Sequence, residues 1–209
     1  MPDEYHRARG GLFVIAGPSG VGKGTVVRRL LELRPDLILS VSATTRRARP
    51  GEVDGSDYRF VSDTEFERLV SADALLEWAD IFGHHRSGTP AEPVEAARSA
   101  GRDVLLEIDV QGARQVRTRA PDAVLIFLAP PSLEELERRL RTRGTETEAQ
   151  LERRLAVARD ELTQASQFDH VVVNDQVNRA ASEIVRILQE SAANPPRAER
   201  SKPQETNPT

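Results

Sequence analysis

The hydrophobic residues of the chain occur in short clusters, and segments with the spacing of amphipathic helices lie between them. Apolar runs bounded by turn residues predict strands at 11–16, 75–81, 103–109, 123–128 and 170–173, and alternation predicts another at 37–42. Helical spacing predicts helices at 22–33, 111–120 and 179–189. Because strands and helices alternate, we predict an α/β protein with a parallel sheet flanked by helices.

Several helix starts carry a capping-box signature, in which Ser or Thr is followed three positions later by Glu or Gln. The pairs are Ser62 with Glu65, Ser132 with Glu135, and Thr147 with Gln150. In this motif the hydroxyl oxygen accepts a hydrogen bond from the backbone N–H of the later residue. We therefore expect helices to begin just after each of these hydroxyl residues.

Composition favours one domain with polar ends. The 209 residues, 38% hydrophobic and 30% charged, suffice for a single domain with a buried core. We assign this domain to residues 10–190, after an N-terminal tail of residues 1–9. From residue 191 the chain is rich in Pro, Ser and charge, which predicts a disordered tail over 191–209.

The net charge of −4 gives no overall attraction to nucleic acid or to an anionic membrane, so we expect neither as a partner. The absence of cysteine excludes disulfides and thiolate metal sites. The N-terminal segment lacks an apolar signal sequence, and no run approaches the ~20 apolar residues of a membrane span. We therefore expect a cytoplasmic protein, whose number of subunits the sequence leaves open.

The segment at residues 17–25, GPSGVGKGT, matches the phosphate-binding pattern GxxxxGK between a predicted strand and a predicted helix. Its glycines let backbone N–H groups point at phosphate oxygens, and the helix N-terminus adds a positive dipole end. Lys23 would reach the β and γ phosphates. The candidate ATP contacts are Gly17, Pro18, Ser19, Gly20, Val21, Gly22, Lys23, Gly24 and Thr25.

Gly24 stands where many such loops place a hydroxyl on Mg²⁺. The ion would therefore be held mainly by phosphates and water, with Thr25 as the nearest hydroxyl and Glu107 as a carboxylate at the end of a predicted strand. We expect Mg²⁺ as a cofactor without a firm direct protein ligand. Small-nucleotide kinases show this departure, whereas switch GTPases more often keep the hydroxyl.

Residues 40–60, SVSATTRRARPGEVDGSDYRF, are polar, rich in arginine and interrupted by Pro and Gly, so we predict a loop or substrate arm from residue 43 to 57. Guanidinium forks, hydroxyls and a phenol are suited to holding a monoester phosphate. A solvated basic loop is the alternative.

A second arginine-rich segment follows Ser132. Arg139 and Arg143 are four residues apart, so on a helix they share one face, and Arg154 lies in the next predicted helix. Glutamates surround these arginines, and surface ion pairs of little energetic value are therefore an alternative to function.

Taken in order, these motifs resemble the guanylate kinase family. The matching segments are GPSGVGKGT, S-x-S-x-T-T-R-x-x-R-x-G-E, DY, LLEW, GT, LEIDVQG, FLAPPS and RGTE, and they span roughly residues 10–190. The resemblance implies the phosphate-loop nucleoside monophosphate kinase fold, with a GMP-binding arm at about 43–90 and an arginine-rich lid at about 135–165. It also implies transfer of the γ-phosphate of ATP to GMP or dGMP, giving ADP and GDP, in purine nucleotide metabolism and GMP recycling.

The resemblance further assigns roles to individual residues. It places the GMP phosphate on Arg46, Arg49 and Tyr58, and the guanine base on Ser42, Glu77, Thr89 and Asp109. It gives Arg139, Arg143 and Arg154 to a lid over the ATP phosphates, and puts Asn174 near the adenine. The guanine assignment is chemically consistent, because a carboxylate such as Glu77 accepts from N1–H and from the exocyclic amino group, which adenine does not offer.

Residues 83–89, GHHRSGT, depart from the family pattern G-N-Y-Y-G-T, since they are one residue longer and lack tyrosine. The contact of the missing tyrosine with the GMP phosphate could pass to Arg86, to His85 or to no group, and we favour Arg86. A metal site at His84 and His85 is disfavoured, because adjacent residues of an extended segment point to opposite faces.

Two other functions remain to be weighed. Non-catalytic modules that resemble guanylate kinase bind peptides and commonly lose the loop lysine and the lid arginines, all of which this chain retains. A ribose bisphosphate phosphokinase would have no guanine to read, and Glu77 together with the arm from Ser42 to Tyr58 argues against it.

Overall fold

A five-stranded parallel sheet forms the centre of the computed structural model, which describes residues 9–81, 83, 85–142 and 148–193. Along the chain the elements are β1 (Leu12–Ala16), α1 (Lys23–Leu33), β2 (Ile38–Leu39), β3 (Ala43–Thr44), β4 (Arg59–Phe60), α2 (Asp63–Ser71), β5 (Leu75–Ile81), β6 (His85–Pro90), α3 (Ala91–Ser99), β7 (Val104–Glu107), α4 (Val110–Arg119), β8 (Val124–Ala129), α5 (Leu133–Thr142), α6 (Glu148–Thr163), β9 (His170–Val173) and α7 (Val177–Ala193). The central sheet has the order β2-β7-β1-β8-β9, and every neighbouring pair is parallel. The predicted α/β class with a parallel core is confirmed.

Helices cover both faces of this sheet, because the side chains of a strand alternate between two faces. Phe13 and Ile15 of β1 pack into a core with α1, α5, α6 and α7, whereas Leu12 and Val14 pack into a second core with α4. All of β1 is therefore buried, which explains its continuous apolar sequence. Within the described residues, none of the helices is both long and apolar enough to cross a bilayer.

A second sheet, with the order β4-β3-β6-β5, stands apart from the first. β3 pairs in parallel with β4, while β6 pairs in antiparallel fashion with both β3 and β5. The predicted strand 75–81 is confirmed as β5, but it belongs to this sheet rather than to the parallel core. The strand β6 was not predicted, and the predicted loop at 43–57 begins with a strand residue, Ala43.

The two faces of the second sheet have different roles. Ala43, Trp78 and Arg86 lie on the face that packs against α2, which we call the helix face. Glu77 and Thr89 are paired across β5 and β6 and lie on the opposite face, which we call the pocket face.

Most helix starts agree with the sequence. Ser62 Oγ accepts from the Glu65 N–H at 3.1 Å, and Ser132 Oγ accepts from the Glu135 N–H at 3.2 Å, so both capping predictions are confirmed. Thr147 lies outside the described residues. The strand predicted at 37–42 is shorter, and α7 runs to Ala193, so the first residues of the predicted tail are helical. Alanine has the highest helix propensity, which accounts for this extension.

Candidate active site

The phosphate-binding loop connects β1 to α1, as the sequence predicts. Gly22 caps α1 with φ of 96°, a left-handed conformation that side chains rarely adopt. A Cβ added at Gly22 would lie 2.8 Å from Nδ2 of Asn174, the residue after β9, so a side chain there would also clash with Asn174. The N-terminus of α1 therefore opens directly onto the loop, as anion binding requires.

Lys23 lies folded within the loop, where its Nζ donates to the Gly17 carbonyl oxygen at 2.6 Å. Glu107 ends β7 beside it: burial raises the pKa of Glu107, and the charge of Lys23 opposes that rise. A Cβ added at Gly24 would lie 3.6 Å from Glu107 Oε1, which is an ordinary contact. The fold thus brings the Glu107 carboxylate next to Gly24. This agrees with the sequence prediction that a carboxylate at the carboxyl end of a parallel strand lies near the loop.

Carboxylate oxygen beside the loop suits a hard cation such as Mg²⁺. Among the described residues, no group of three or more His, Cys, Asp and Glu is arranged to hold a metal ion. Thr25 lines a cavity of about 360 Å³ that also borders Gly22, Arg139 and Asn174. Glu107 and Thr25 are the oxygen donors near the loop, and both are suited to an ion that phosphate and water also hold.

Arg139 joins the phosphate-binding loop to the end of β9. Its guanidinium donates to the Val21 carbonyl at 3.1 Å, to the Asn174 carbonyl at 3.0 Å and to Glu135 Oε1 at 2.9 Å. Asn174 is buried, and its Nδ2 donates to the same Val21 carbonyl at 2.8 Å. The structure thus brings the predicted residues Arg139 and Asn174 together at the loop.

The other two lid arginines are not placed in the same way. Arg154 lies half-buried in α6, and Arg143 falls outside the described residues. Of the predicted lid, the structure places the helices α5 and α6, with Arg139 beside the loop and Arg154 in α6.

A carboxylate that the sequence did not single out also reaches the loop. Glu161 of α6 lies near Lys23 and the Ser19 backbone, and among the described residues no hydrogen-bond partner reaches its buried Oε2. Burial raises the pKa of Glu161, and the charge of Lys23 opposes this. No local motif marks Glu161, because α6 comes to the loop only through the tertiary fold.

The pocket face of the second sheet presents a buried carboxyl. Thr89 Oγ1 donates to Glu77 Oε1 at 2.7 Å, and the two residues are only 0% and 5% exposed. Burial raises the pKa of Glu77 to about 7; the hydrogen bond from Thr89 opposes this and the nearby charge of Asp109 adds to it. Asp109 itself caps α4, accepting from the Gly112 N–H at 2.6 Å. Three of the predicted base contacts therefore meet at one place.

The predicted phosphate arm is organised by a carboxylate. Arg46 forms a two-pronged ion pair with Glu52, with both N···O distances at 2.7 Å, and its guanidinium lies 4.7 Å from the centre of the Tyr58 ring. The backbone N–H of Arg49 donates to Glu52 as well, at 2.7 Å. The ion pair with Arg46 lowers the pKa of Glu52 to about 2. Ser42 directly precedes β3, and its carbonyl accepts from the Arg59 N–H.

The sequence interpretation of Arg86 needs correction, because this side chain contacts α2 rather than the pocket face. Its guanidinium donates to Glu67 at 2.6 Å and to Asp63 at 3.2 Å, and lies 5.0 Å from the centre of the Phe66 ring. These partners all belong to α2 on the helix face, since alternate strand residues point to opposite sides. The favoured contact of Arg86 with the GMP phosphate therefore lacks geometric support.

The same alternation assigns other members of GHHRSGT to the pocket face. Ser87 and His85 are two and four positions from Thr89 on β6, so they share its side of the sheet. His84 lies outside the described residues. Sequence reasoning missed Ser87, and only recognition of 85–90 as a strand, with its period of two, could have found it.

A phosphate-binding loop lies at the carboxyl edge of the parallel sheet, and a second sheet carries a buried carboxyl together with an arginine and tyrosine arm. This combination defines a phosphate-loop kinase of nucleoside monophosphates. The guanylate kinase family profile matches residues 9–191. The chain belongs to the guanylate kinase family, whose members phosphorylate GMP with ATP.

Individual relatives agree with this assignment. The guanylate kinase of Nocardia farcinica is 55% identical over 184 residues, covering 88% of this chain and 95% of the relative. That of a Mycobacterium species is 58% identical over 183 residues, covering 87% and 92%. The crystal structure of guanylate kinase from Anaplasma phagocytophilum superimposes with a TM-score of 0.72 at 35% identity, over 88% of this chain and 87% of that one.

Proposed function

We propose that this chain transfers the γ-phosphate of ATP to GMP, and also to dGMP, with guanine selected by Glu77. The buried Glu77 carboxyl beside Asp109 carries this proposal. As a carboxylate it accepts from N1–H and the exocyclic amino group of guanine together. With adenine it would stay a buried charge without those donors, which costs binding free energy. Thr89 fixes one oxygen of the carboxyl, and Ser42 and Asp109 complete the base site.

The phosphate of GMP is held by Arg46, Arg49 and Tyr58. Support comes from the arm itself, where Glu52 and the Tyr58 ring orient the guanidinium of Arg46. A fork that is ordered in advance loses less side-chain entropy when a phosphate arrives.

The triphosphate of ATP is held by the backbone of the phosphate-binding loop and by Lys23. Arg139 and Asn174 border the cavity beside the loop, which supports a place for the adenosine end there. Arg143 and Arg154 approach the phosphates when the lid closes. Glu107 and Thr25 would help to hold the hydration shell of Mg²⁺. When bound, Mg²⁺ neutralises charge on the phosphates during transfer.

Phosphoryl transfer asks the protein mainly for in-line positioning and for neutralisation of spreading negative charge. Lys23 and the arginines supply positive charge at the phosphates. No general base is required, because the attacking oxygen belongs to a phosphate that is already an anion. Closure of the arm and the lid keeps water from accepting the phosphoryl group. A cytoplasmic location, where ATP is available, fits this reaction.

The experiment is a coupled assay of ADP formation from ATP and Mg²⁺ with GMP, dGMP, AMP or UMP as acceptor. We expect turnover with GMP and dGMP, and kcat/KM lower by at least about 100-fold with AMP and UMP. Equal turnover with AMP would overturn the proposed role of Glu77, and absence of turnover with every acceptor would overturn the enzymatic function.

A further inference from the structure

The outer edge of β5 is covered by a side chain of α4 rather than by another strand. β5 lies at the end of the second sheet, so alternate N–H and C=O groups on its far side have no strand partner. Gln115 Nε2 donates to the Trp78 carbonyl at 2.8 Å, and Gln115 Oε1 accepts from the Trp78 N–H at 3.1 Å. One amide side chain therefore satisfies both backbone groups of Trp78, as a neighbouring strand would.

These two hydrogen bonds act next to the base-reading carboxyl, because Trp78 directly follows Glu77. The carboxyl of Glu77 lies against the first turn of α4, the helix that carries Gln115. A Cβ added at Gly112 would lie 2.7 Å from Glu77 Oε2 and 3.2 Å from its Cδ, so this approach is possible only without a side chain.

Asp109, Gly112 and Gln115 are spaced by three residues and so follow one another along one side of α4. Asp109 contributes charge beside Glu77, Gly112 leaves space for its carboxyl, and Gln115 holds the backbone that carries it. We call this set the α4 docking face.

We propose that the α4 docking face fixes the position of Glu77 relative to the central sheet, and that Gln115 is a positioning residue for guanine selection. This inference rests on the proposed role of Glu77 and adds Gly112 and Gln115, which act on Glu77 rather than on the substrate. Two hydrogen bonds to guanine require the carboxyl to be placed within a fraction of an ångström, so a strand free to shift at Trp78 would lose selectivity.

The main variant is Gln115→Met, which keeps side-chain length and helix propensity and removes both hydrogen bonds. Gln189→Met, at an exposed position of α7, is the matched control. We expect Gln115→Met to raise the KM for GMP by about tenfold or more and to lower the preference for GMP over AMP, with the KM for ATP changed less than about twofold. The control should match the wild type in all three.

A structural readout accompanies the kinetics. Trp78 is the only tryptophan, so [¹⁵N]tryptophan labelling gives a single backbone amide signal by NMR. Its exchange with solvent should be about tenfold faster or more in Gln115→Met and unchanged in Gln189→Met. Unchanged exchange together with an unchanged KM for GMP would overturn the inference.

A second variant keeps the inference testable if Gln115→Met does not fold. Gly112→Ala favours the helix and leaves Gln115 in place, but it forces the Glu77 carboxyl to move. We expect a raised KM for GMP in a fully folded protein, and an unchanged KM would contradict the docking face. The wild-type preference for GMP over AMP separates the two failures: if it is absent, the proposed role of Glu77 fails, and if it is present in wild type and in both variants, only the present inference fails.

Discussion

Thr89 Oγ1 donates a hydrogen bond of 2.7 Å to Glu77 Oε1 across the β5–β6 pair, and both side chains are almost fully buried. The bond fixes the orientation of the carboxyl and uses one of the two acceptor sites of Oε1, so both oxygens can still accept from a ligand. The other oxygen, Oε2, faces the first turn of α4. Burial outweighs this bond in its effect on the pKa of Glu77, which is raised to about 7. The carboxyl of Glu77 is therefore fixed in orientation, and its charged form is disfavoured unless a ligand donates hydrogen bonds to it.

GMP binding should therefore depend on pH through Glu77. Because the carboxylate is the form that accepts from guanine, the Kd for GMP should rise by up to about tenfold per pH unit below the pKa of about 7, and should level off above it. Calorimetric titration between pH 5.5 and 8.5 measures this. The phosphate of GMP titrates in the same range, so Glu77→Gln, which keeps only the phosphate dependence, is the control. Identical pH profiles for wild type and Glu77→Gln would contradict the assignment.

The same carboxyl should reduce the stability of the free protein at high pH. Its folded-state pKa lies above the unfolded value, so the folded state binds a proton more tightly and the free energy of unfolding falls as pH rises from about 4.5 to about 7. Glu77→Gln removes this charge. We expect the free energy of unfolding of the variant to exceed that of wild type by about 1 kcal/mol at pH 5, rising to about 3 kcal/mol at pH 8, measured by urea unfolding. A stability difference that does not vary with pH would show that Glu77 ionises without cost.

Lys23→Ala should reduce kcat by at least about 1,000-fold, because the ammonium at the phosphate-binding loop balances charge that develops in the transition state. We expect the fold to persist, since the hydrogen bonds from Lys23 Nζ to the Gly17 and Pro18 carbonyls lie within a single loop. The chain has one other lysine, and Lys202→Ala provides a matched control with unchanged kcat. Turnover of Lys23→Ala at the wild-type rate would remove Lys23 from the mechanism.

Arg86→Ala should leave the KM for GMP within about twofold of the wild-type value, since the guanidinium faces α2 on the helix face. It should lower the free energy of unfolding by about 1 kcal/mol through the loss of its contacts with Glu67 and the Phe66 ring. Steady-state kinetics and thermal unfolding of the same preparation test both statements. A tenfold rise in the KM for GMP would return Arg86 to the phosphate site.

Features that depend on a local pattern were predictable from the sequence. The phosphate-binding loop, the strand before it and the helix after it follow from continuous apolar runs and from GPSGVGKGT. The caps at Ser62 and Ser132 follow from a spacing of three residues, and Glu107 and Asn174 follow from the rule that ligands bind at the carboxyl ends of parallel strands.

Features that depend on distant pairing were not predictable in this way. β3 has only two residues, and β6 carries polar residues with no apolar alternation, so neither gives a strand signal. Without β6 the side of the sheet on which Arg86 lies could not be known, and the residue was assigned from its charge and from its place in the segment that lacks the family's tyrosine. Gln115 and Trp78 are 37 positions apart, so no sequence motif predicts their contact. The same holds for Glu161, which α6 places beside the loop.

Guanine selection by Glu77 is tested most directly by one ratio, kcat/KM for GMP divided by kcat/KM for AMP, compared between wild type and Glu77→Gln. Glutamine is nearly isosteric, but it replaces one acceptor oxygen with a donor that guanine N–H groups cannot use. We expect the ratio to fall by about 100-fold or more, while the KM for ATP stays within about twofold of the wild-type value. A ratio that is unchanged in Glu77→Gln would contradict the claim that the buried carboxyl of Glu77 selects guanine.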